Sequence, residues 1–273
     1  MNGLDVTLRV ATGGFGAIGK AVAQHLDRGI DGLVLTAVSA RDIARAQEAM
    51  AGFARPVPVV PLASLWERAD LIVECVPAAL LRELAEPTLA HGRQLMVLSC
   101  GALLDYFDLV DLARRYGGRI LVPSGALLGL DAVAAAAEGG ISKVHMITRK
   151  PPRGLLGAPY LEENAVDIAD LAEPKRVFAG TARTAARGFP ANVNVAAVLA
   201  LAGIGPDRTT IEIWADPTVT RNVHRIEVEA EAARFSLQIE NVPSAENPRT
   251  GRLTALSVIA ALKKLTSPLA VGT

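Results

Sequence analysis

The run Gly13-Gly14-Phe15-Gly16-Ala17-Ile18-Gly19 constrains this chain more than any other feature. It follows an apolar segment, Val6 to Ala11, and precedes a helix-like one, Ala17 to Leu26. Taken from Gly14, it is G-x-G-x-x-G at a strand-to-helix turn. There the first glycine permits a tight turn and the second lets backbone approach a pyrophosphate. The third lets helix and strand pack closely. The helix start then offers free N–H groups and the positive end of its dipole to phosphates. The expectation is a dinucleotide site whose loop is Gly14, Phe15, Gly16, Ala17 and Ile18. The alternative is a glycine turn in some other α/β protein.

The first half of the chain supports the site. Strand-like runs cover Val6–Ala11, Gly32–Val38, Leu71–Val76, Gln94–Ser99 and Arg119–Val122, with Val57–Val60 as a short additional candidate. Helical patterns lie between them at Ala17–Asp27, Asp42–Met50, Ala79–Ala90 and Tyr106–Tyr116. Such alternation predicts a parallel sheet with helices on both faces. Leu71-Ile72-Val73 is the continuous apolar run expected of a doubly covered strand.

The pattern changes after Pro123. A small-residue turn, Ser124 to Leu130, leads to a helix at Asp131–Glu138. Alternating runs follow at Lys143–Thr148, Thr210–Ala215, His224–Glu231 and Ala233–Glu240, with a helix at Ala191–Ala202. Period-two alternation predicts antiparallel strands with one exposed face. Pro151-Pro152-Arg153-Gly154 and Glu173-Pro174 signal loops. The last helical pattern, Thr250–Leu265, is expected to return to the first domain. The predicted fold class is α/β: a Rossmann-type parallel-sheet domain over 1–123, joined by the helix within 247–273, plus a smaller α+β domain over 124–246 with a mainly antiparallel sheet.

Composition excludes some classes of partner. The formal charge is zero and no basic block is present, so neither nucleic acid nor a polybasic membrane contact is expected. The longest uncharged stretch, Gly188–Pro206, contains Asn192, Asn194 and two prolines, which argues against a membrane span. The chain starts on its first strand without a basic-then-apolar leader, so the cytoplasm is the expected compartment. Cys75 and Cys100 sit in apolar runs and read as buried free thiols. No Cys/His cluster has metal spacing, and no metal is expected.

Few polar residues stand where chemistry is possible. His25, His91 and His145 read as structural or solvated. His224 differs, because it opens a strand after Ala215-Asp216-Pro217 and Arg221-Asn222. An imidazole titrating near neutrality can take and return a proton. Either Asn192 or Asn194 can cap the helix that starts there, or contact a nicotinamide amide or ribose. Ser124-Gly125-Ala126 can line a nicotinamide pocket with its backbone or serve as an interdomain hinge. Lys150 ends a strand and can clamp a substrate carboxylate, or stand exposed in solvent. The second strand ends Val38-Ser39-Ala40-Arg41-Asp42. An NAD-specific site usually places an acid at that tip. Ser39 and Arg41 suit a 2′-phosphate, while Asp42 is expected to cap the next helix.

These residues together resemble the L-aspartate dehydrogenase family, from Gly14 to about Leu256. The resemblance rests on the glycine fingerprint, Val73-Glu74-Cys75, Val122-Pro123-Ser124-Gly125-Ala126 and Gly129-Leu130-Asp131-Ala132. It continues through Thr148-Arg149-Lys150-Pro151-Pro152, Phe178-Ala179-Gly180-Thr181-Ala182-Arg183 and Phe189-Pro190-Ala191-Asn192-Val193-Asn194-Val195-Ala196-Ala197. Leu201-Ala202-Gly203, Ala215-Asp216-Pro217, Asn222-Val223-His224 and Glu240-Asn241-Val242-Pro243-Ser244 complete it. Two departures stand out: Thr184 replaces a common glutamate, and Val76-Pro77-Ala78-Ala79 is more apolar than usual.

The resemblance implies oxidation of L-aspartate with NAD or NADP, giving iminoaspartate or, after hydrolysis, oxaloacetate and ammonia, in the service of NAD synthesis. It implies His224 as the catalytic residue and Ala126 and Asn194 as cofactor contacts. Lys150, Asn192 and the Thr181–Arg183 turn are candidates for the substrate, and a homodimer is expected. The rival readings are another reductase on this architecture, such as a homoserine dehydrogenase-like or dihydrodipicolinate reductase-like enzyme, and a non-catalytic dinucleotide sensor.

Overall fold

The computed structural model describes residues 7–242 and 251–272. Val6, Pro243, Ser244, Thr250 and the expected boundary at 246/247 lie outside the described residues. The chain forms two compact units. One runs to Pro123 and takes back Ala255–Ala270, and the other starts at Ser124 and runs to Thr254.

The first unit contains β1 (Leu8–Gly13), α1 (Ala17–Arg28), β2 (Leu33–Ser39), α2 (Ile43–Met50), β3 (Leu71–Glu74), α3 (Leu81–Ala90), β4 (Gln94–Met96), α4 (Cys100–Leu103), α5 (Asp108–Tyr116) and β5 (Arg119–Leu121). Its strands form one parallel sheet in the order β2-β1-β3-β4-β5. The 57–60 segment is a correction to the sequence reading. Only Val59 bridges, to Val38 of β2, parallel to it. Pro58 and Pro61 flank it and cannot donate to a ladder, which keeps this edge short.

Local chemistry explains the helices. Val22, Ala23 and Leu26 of α1 are buried, and Asp42 caps α2 by accepting a hydrogen bond from Arg45 N at 3.0 Å. Helix α5 carries Asp108 and Asp111 in its first turn and Arg114 and Arg115 in its last, matching its dipole. The returning helix lies at Arg252–Thr266, and Val258, Ile259 and Leu262 join the core of the first unit. Truncating Leu262 to alanine costs about 2–5 kcal/mol by the usual cavity scale.

The second unit contains α6 (Leu130–Gly139), β6 (Ile141–Lys150), α7 (Pro159–Glu163), β7 (Lys175–Thr181), α8 (Ala182–Gly188), α9 (Asn194–Ala202), β8 (Thr210–Ala215), β9 (Asn222–Ala230) and β10 (Arg234–Asn241); the returning helix is α10. The sheet order is β10-β9-β6-β8-β7. Three neighbouring pairs are antiparallel, but β6 and β8 run parallel. Strand β7 and helix α8 are additions to the sequence reading.

Alternation decides what points inward. Val144, Met146, Thr148 and Lys150 of β6 are buried, as are His224, Ile226 and Val228 of β9. Helix α9 is buried from Val195 to Ala200, as its nearly all-apolar sequence requires.

Candidate active site

The glycine loop has the geometry its spacing implies. Gly14 has φ +105°, and a Cβ there would sit 2.4 Å from Cys75 O. A Cβ on Gly19 would lie 2.0 Å from Gly14 O. Neither position tolerates a side chain, so the turn and the strand–helix approach depend on both glycines. Gly16 is different: a Cβ there would meet nothing within 4 Å. It occupies the N-cap of α1, with no side chain capping the helix and no acid in the first turn. Unfilled space beside free helix N–H groups fits a pyrophosphate. Gly14 N is already committed to Ser39 O at 3.1 Å. The side chains of Phe15 and Ile18 pack against the hydrophobic core, and Phe15 stacks obliquely near Phe53. What those residues can offer a phosphate is therefore backbone.

Ser39 ends β2 and is buried, whereas Arg41 is exposed just beyond it. Asp42 is engaged as the cap of α2. One feature of this unit escaped the sequence reading. Glu74, fully buried at the end of β3, accepts hydrogen bonds from Leu98 N at 2.9 Å, Ser99 N at 2.7 Å and Ser99 Oγ at 3.0 Å. Burial raises its pKa, with the Ser99 and Leu98 hydrogen bonds opposing that rise. Both cysteines are free thiols, Cys100 buried and Cys75, against expectation, only partly so, and burial pushes both pKa values up.

The second unit gathers Lys150, Asn192, Thr148 and His224. Thr148 lies directly opposite His224 in the β6–β9 ladder. Their side chains meet at 3.2 Å, Oγ1 to Nδ1. Lys150 is 4% exposed, so it does not stand in solvent. Its Nζ donates to Asn192 Oδ1 at 2.9 Å and Asn192 O at 3.2 Å. This corrects the capping expectation for Asn192. Its carboxamide is taken by Lys150, and α9 begins at Asn194 after Val193, which supplies no side-chain cap. Asn194 is exposed on the first turn of that helix.

Electrostatics follow from burial. Removing Lys150 from water lowers its pKa to about 8. His224, 2% exposed, is pushed down to about 3, by burial first and by the Lys150 charge second. The imidazole is therefore neutral across the physiological range. Asp216 is also buried. Burial raises its pKa, but hydrogen bonds from Thr218 and Arg149 outweigh that and leave it lowered.

Ala126 sits in a turn closed by Leu127 N to Ser124 O at 3.1 Å, with Gly125 at φ +62°. Its carbonyl accepts from Asn241 Nδ2 at 2.9 Å. Asn241 and Thr148 appeared in the sequence only as parts of longer blocks. The Thr181–Arg183 turn has local duties. Thr181 and Thr184 form a reciprocal capping box on α8, and Arg183 pairs with exposed Asp207 at 2.6 Å. Among the described residues, no group of three His, Cys, Asp or Glu side chains can hold a metal ion. None of the described helices is long and apolar enough to cross a membrane.

Comparison with known proteins bears on both units. Residues 131–265 match the family model for the aspartate dehydrogenase C-terminal region, and residues 14–123 match that for the homoserine dehydrogenase NAD-binding domain. An L-aspartate dehydrogenase of Bradyrhizobium diazoefficiens is 59% identical over 97% of this chain and 94% of that protein. L-aspartate dehydrogenase 3 of Bordetella bronchiseptica is 55% identical over 97% and 98%. The crystal structure of aspartate dehydrogenase from Thermotoga maritima superposes with a TM-score of 0.73, covering 97% of this chain and 99% of that one at 23% identity.

Proposed function

Because the chain belongs to the L-aspartate dehydrogenase family, we propose that it oxidises L-aspartate to iminoaspartate with NAD or NADP. It is thus an NAD(P)-dependent dehydrogenase acting on a CH–NH2 donor. The observation that carries this reading is the 59% identity to a curated relative across 97% of the chain. Oxaloacetate and ammonia arise if the imine is hydrolysed before release, and supply of NAD synthesis is the proposed role.

A bound oxidised nicotinamide would supply the hydride acceptor for the substrate α-carbon. The protein's share is placement, since most of the gain comes from holding the reacting atoms within about 3–3.5 Å. The loop Gly14-Phe15-Gly16-Ala17-Ile18 would hold the pyrophosphate through backbone, and Ser39 and Arg41 would meet the adenosine ribose. Ala126 and Asn194 would contact the nicotinamide half. Asn241 fixes the Ala126 carbonyl and so positions that contact.

His224 is the acid–base residue that serves the imine once it has formed. Burial keeps its imidazole uncharged, and Thr148 orients it through Nδ1. In hydrolysis of the imine it exchanges protons with the attacking water. Lys150 and Asn192 form a single hydrogen-bonded unit that meets the substrate. A homodimer, cytoplasmic residence and independence of any metal belong to the same proposal. Purified protein incubated with L-aspartate and each cofactor tests it, with reduced nicotinamide and ammonia as the measured products.

A further inference from the structure

We infer that the proton leaving the substrate's ammonium group comes to rest on Lys150 Nζ, which makes Lys150 a second catalytic residue. The inference rests on the functional reading above, because it requires an α-amino acid as substrate.

Hydrogen-bond inventory carries the argument. A protonated lysine has three N–H donors and no acceptor, whereas the neutral amine has two donors and a lone pair. Among the described residues, Nζ has two acceptors, Asn192 Oδ1 at 2.9 Å and Asn192 O at 3.2 Å. Two acceptors satisfy the donors of the neutral amine and leave its lone pair as the one unused function. They leave a third N–H of the ammonium unmatched in a group that is 4% exposed. Among the described residues no carboxylate pairs with Nζ.

The strand geometry supplies the neighbour. Thr148 lies opposite His224, and Lys150 follows two positions later on the same buried face of β6. On the other side, Lys150 pairs with Ala215 of β8. The acid that follows, Asp216, is turned to Arg149 at 3.0 Å and Thr218 at 2.6 Å. Among the described residues, the titratable and charged groups that these pairings place beside Lys150 are His224 from β9, Arg149 next to it on β6, and an already partnered Asp216 after β8. The Asn192 turn contributes only amide groups.

The relative basicities agree with this division. Burial brings the lysine to about 8 and the imidazole to about 3. Between these two neighbours the amine binds a proton far more readily. The balance is simple. One N–H bond of the substrate ammonium breaks, one Nζ–H bond forms, and the substrate nitrogen keeps its electron pair. That lone pair is what the α-carbon needs to become an iminium. His224 stays neutral in this step and serves the later exchange with water.

The test compares wild type with Lys150→Arg and Lys150→Ala. Arginine retains charge and donors but does not give up its proton. The expected loss in kcat for Lys150→Arg is at least about 10²-fold, the scale of general acid–base catalysis, with cofactor affinity unchanged. A small primary amine is expected to restore turnover to Lys150→Ala, which a purely structural lysine would not allow. In resting wild-type protein carrying 13C-labelled lysine, the resonance absent from Lys150→Arg is expected to titrate near pH 8. Titration at the ordinary lysine value of about 10.4, absence of amine rescue, or Lys150→Arg retaining near-normal kcat would each overturn the inference. Wild-type protein that leaves aspartate unchanged would instead defeat the functional reading, and the inference with it, before any variant is compared.

Discussion

Thr148 and His224 stand directly opposite each other on antiparallel strands, and Thr148 Oγ1 lies 3.2 Å from His224 Nδ1. The ladder fixes the backbone of both residues, so this contact sets the direction of the other ring nitrogen. Thr148→Val removes the partner while keeping the shape. It is expected to lower kcat about tenfold and leave KM for aspartate within a factor of a few, with a stability loss of about 1 kcal/mol. Steady-state kinetics beside a thermal melt check this. A larger change in KM than in kcat would show that Thr148 serves binding rather than ring orientation.

His224→Ala is expected to lower kcat by at least about 10²-fold while calorimetric titration shows unchanged cofactor affinity. Near-normal turnover would reduce His224 to a buried structural residue.

The buried imidazole also has a signature in stability. Its folded pKa, about 3, lies below its ordinary value of 6.5. Between those values the unfolded chain binds a proton that the folded chain excludes, so stability falls as pH drops through the window. Denaturant unfolding of His224→Gln between pH 6.5 and 3 is expected to lose stability less steeply than wild type. Parallel slopes would mean that His224 can be charged in the folded protein.

Much of this was legible in the sequence, and the failures have physical causes. The glycine fingerprint located the tight strand-to-helix turn because its constraint is local: Gly14 and Gly19 leave no room for a Cβ. Asp42 was readable as a cap for the same reason. Strand β7 was missed because a register shift between Arg176 and Phe178 breaks its alternation. The parallel pairing of β6 with β8 has no local sequence mark at all. For Lys150 the sequence left burial and exposure both open. Its burial depends on Asn192, 42 positions away. Yet alternation through Val144, Met146 and Thr148, carried one step further, already placed it inside.

Gly16→Val is expected to fold normally and lose dinucleotide binding. Gly16 has φ −78° and ψ −163°, an extended conformation open to any residue. A valine there would fill the space that the pyrophosphate needs. A melt unchanged from wild type with calorimetric binding abolished is the expected pair of results. Unchanged affinity would remove the phosphate loop from the account.

The tip of β2 predicts cofactor choice. With Asp42 engaged by Arg45 N, Ser39 and Arg41 are the residues proposed to meet the ribose. NADP is expected to serve at least as well as NAD, because arginine can fork onto a 2′-phosphate. Arg41→Ala is expected to cut kcat/KM at least about tenfold more for NADP than for NAD. Strong NAD selectivity in the parent, or equal losses with both cofactors, would show that Arg41 does not read the phosphate.

The most direct test of the central claim is cofactor reduction against a panel of amino acids. Reduced nicotinamide absorbance is followed with L-aspartate, L-glutamate, L-alanine and L-homoserine, each with NAD and with NADP. The expected result is turnover driven by L-aspartate well above the other three. Equal or faster turnover of any other member of the panel would contradict the proposed function.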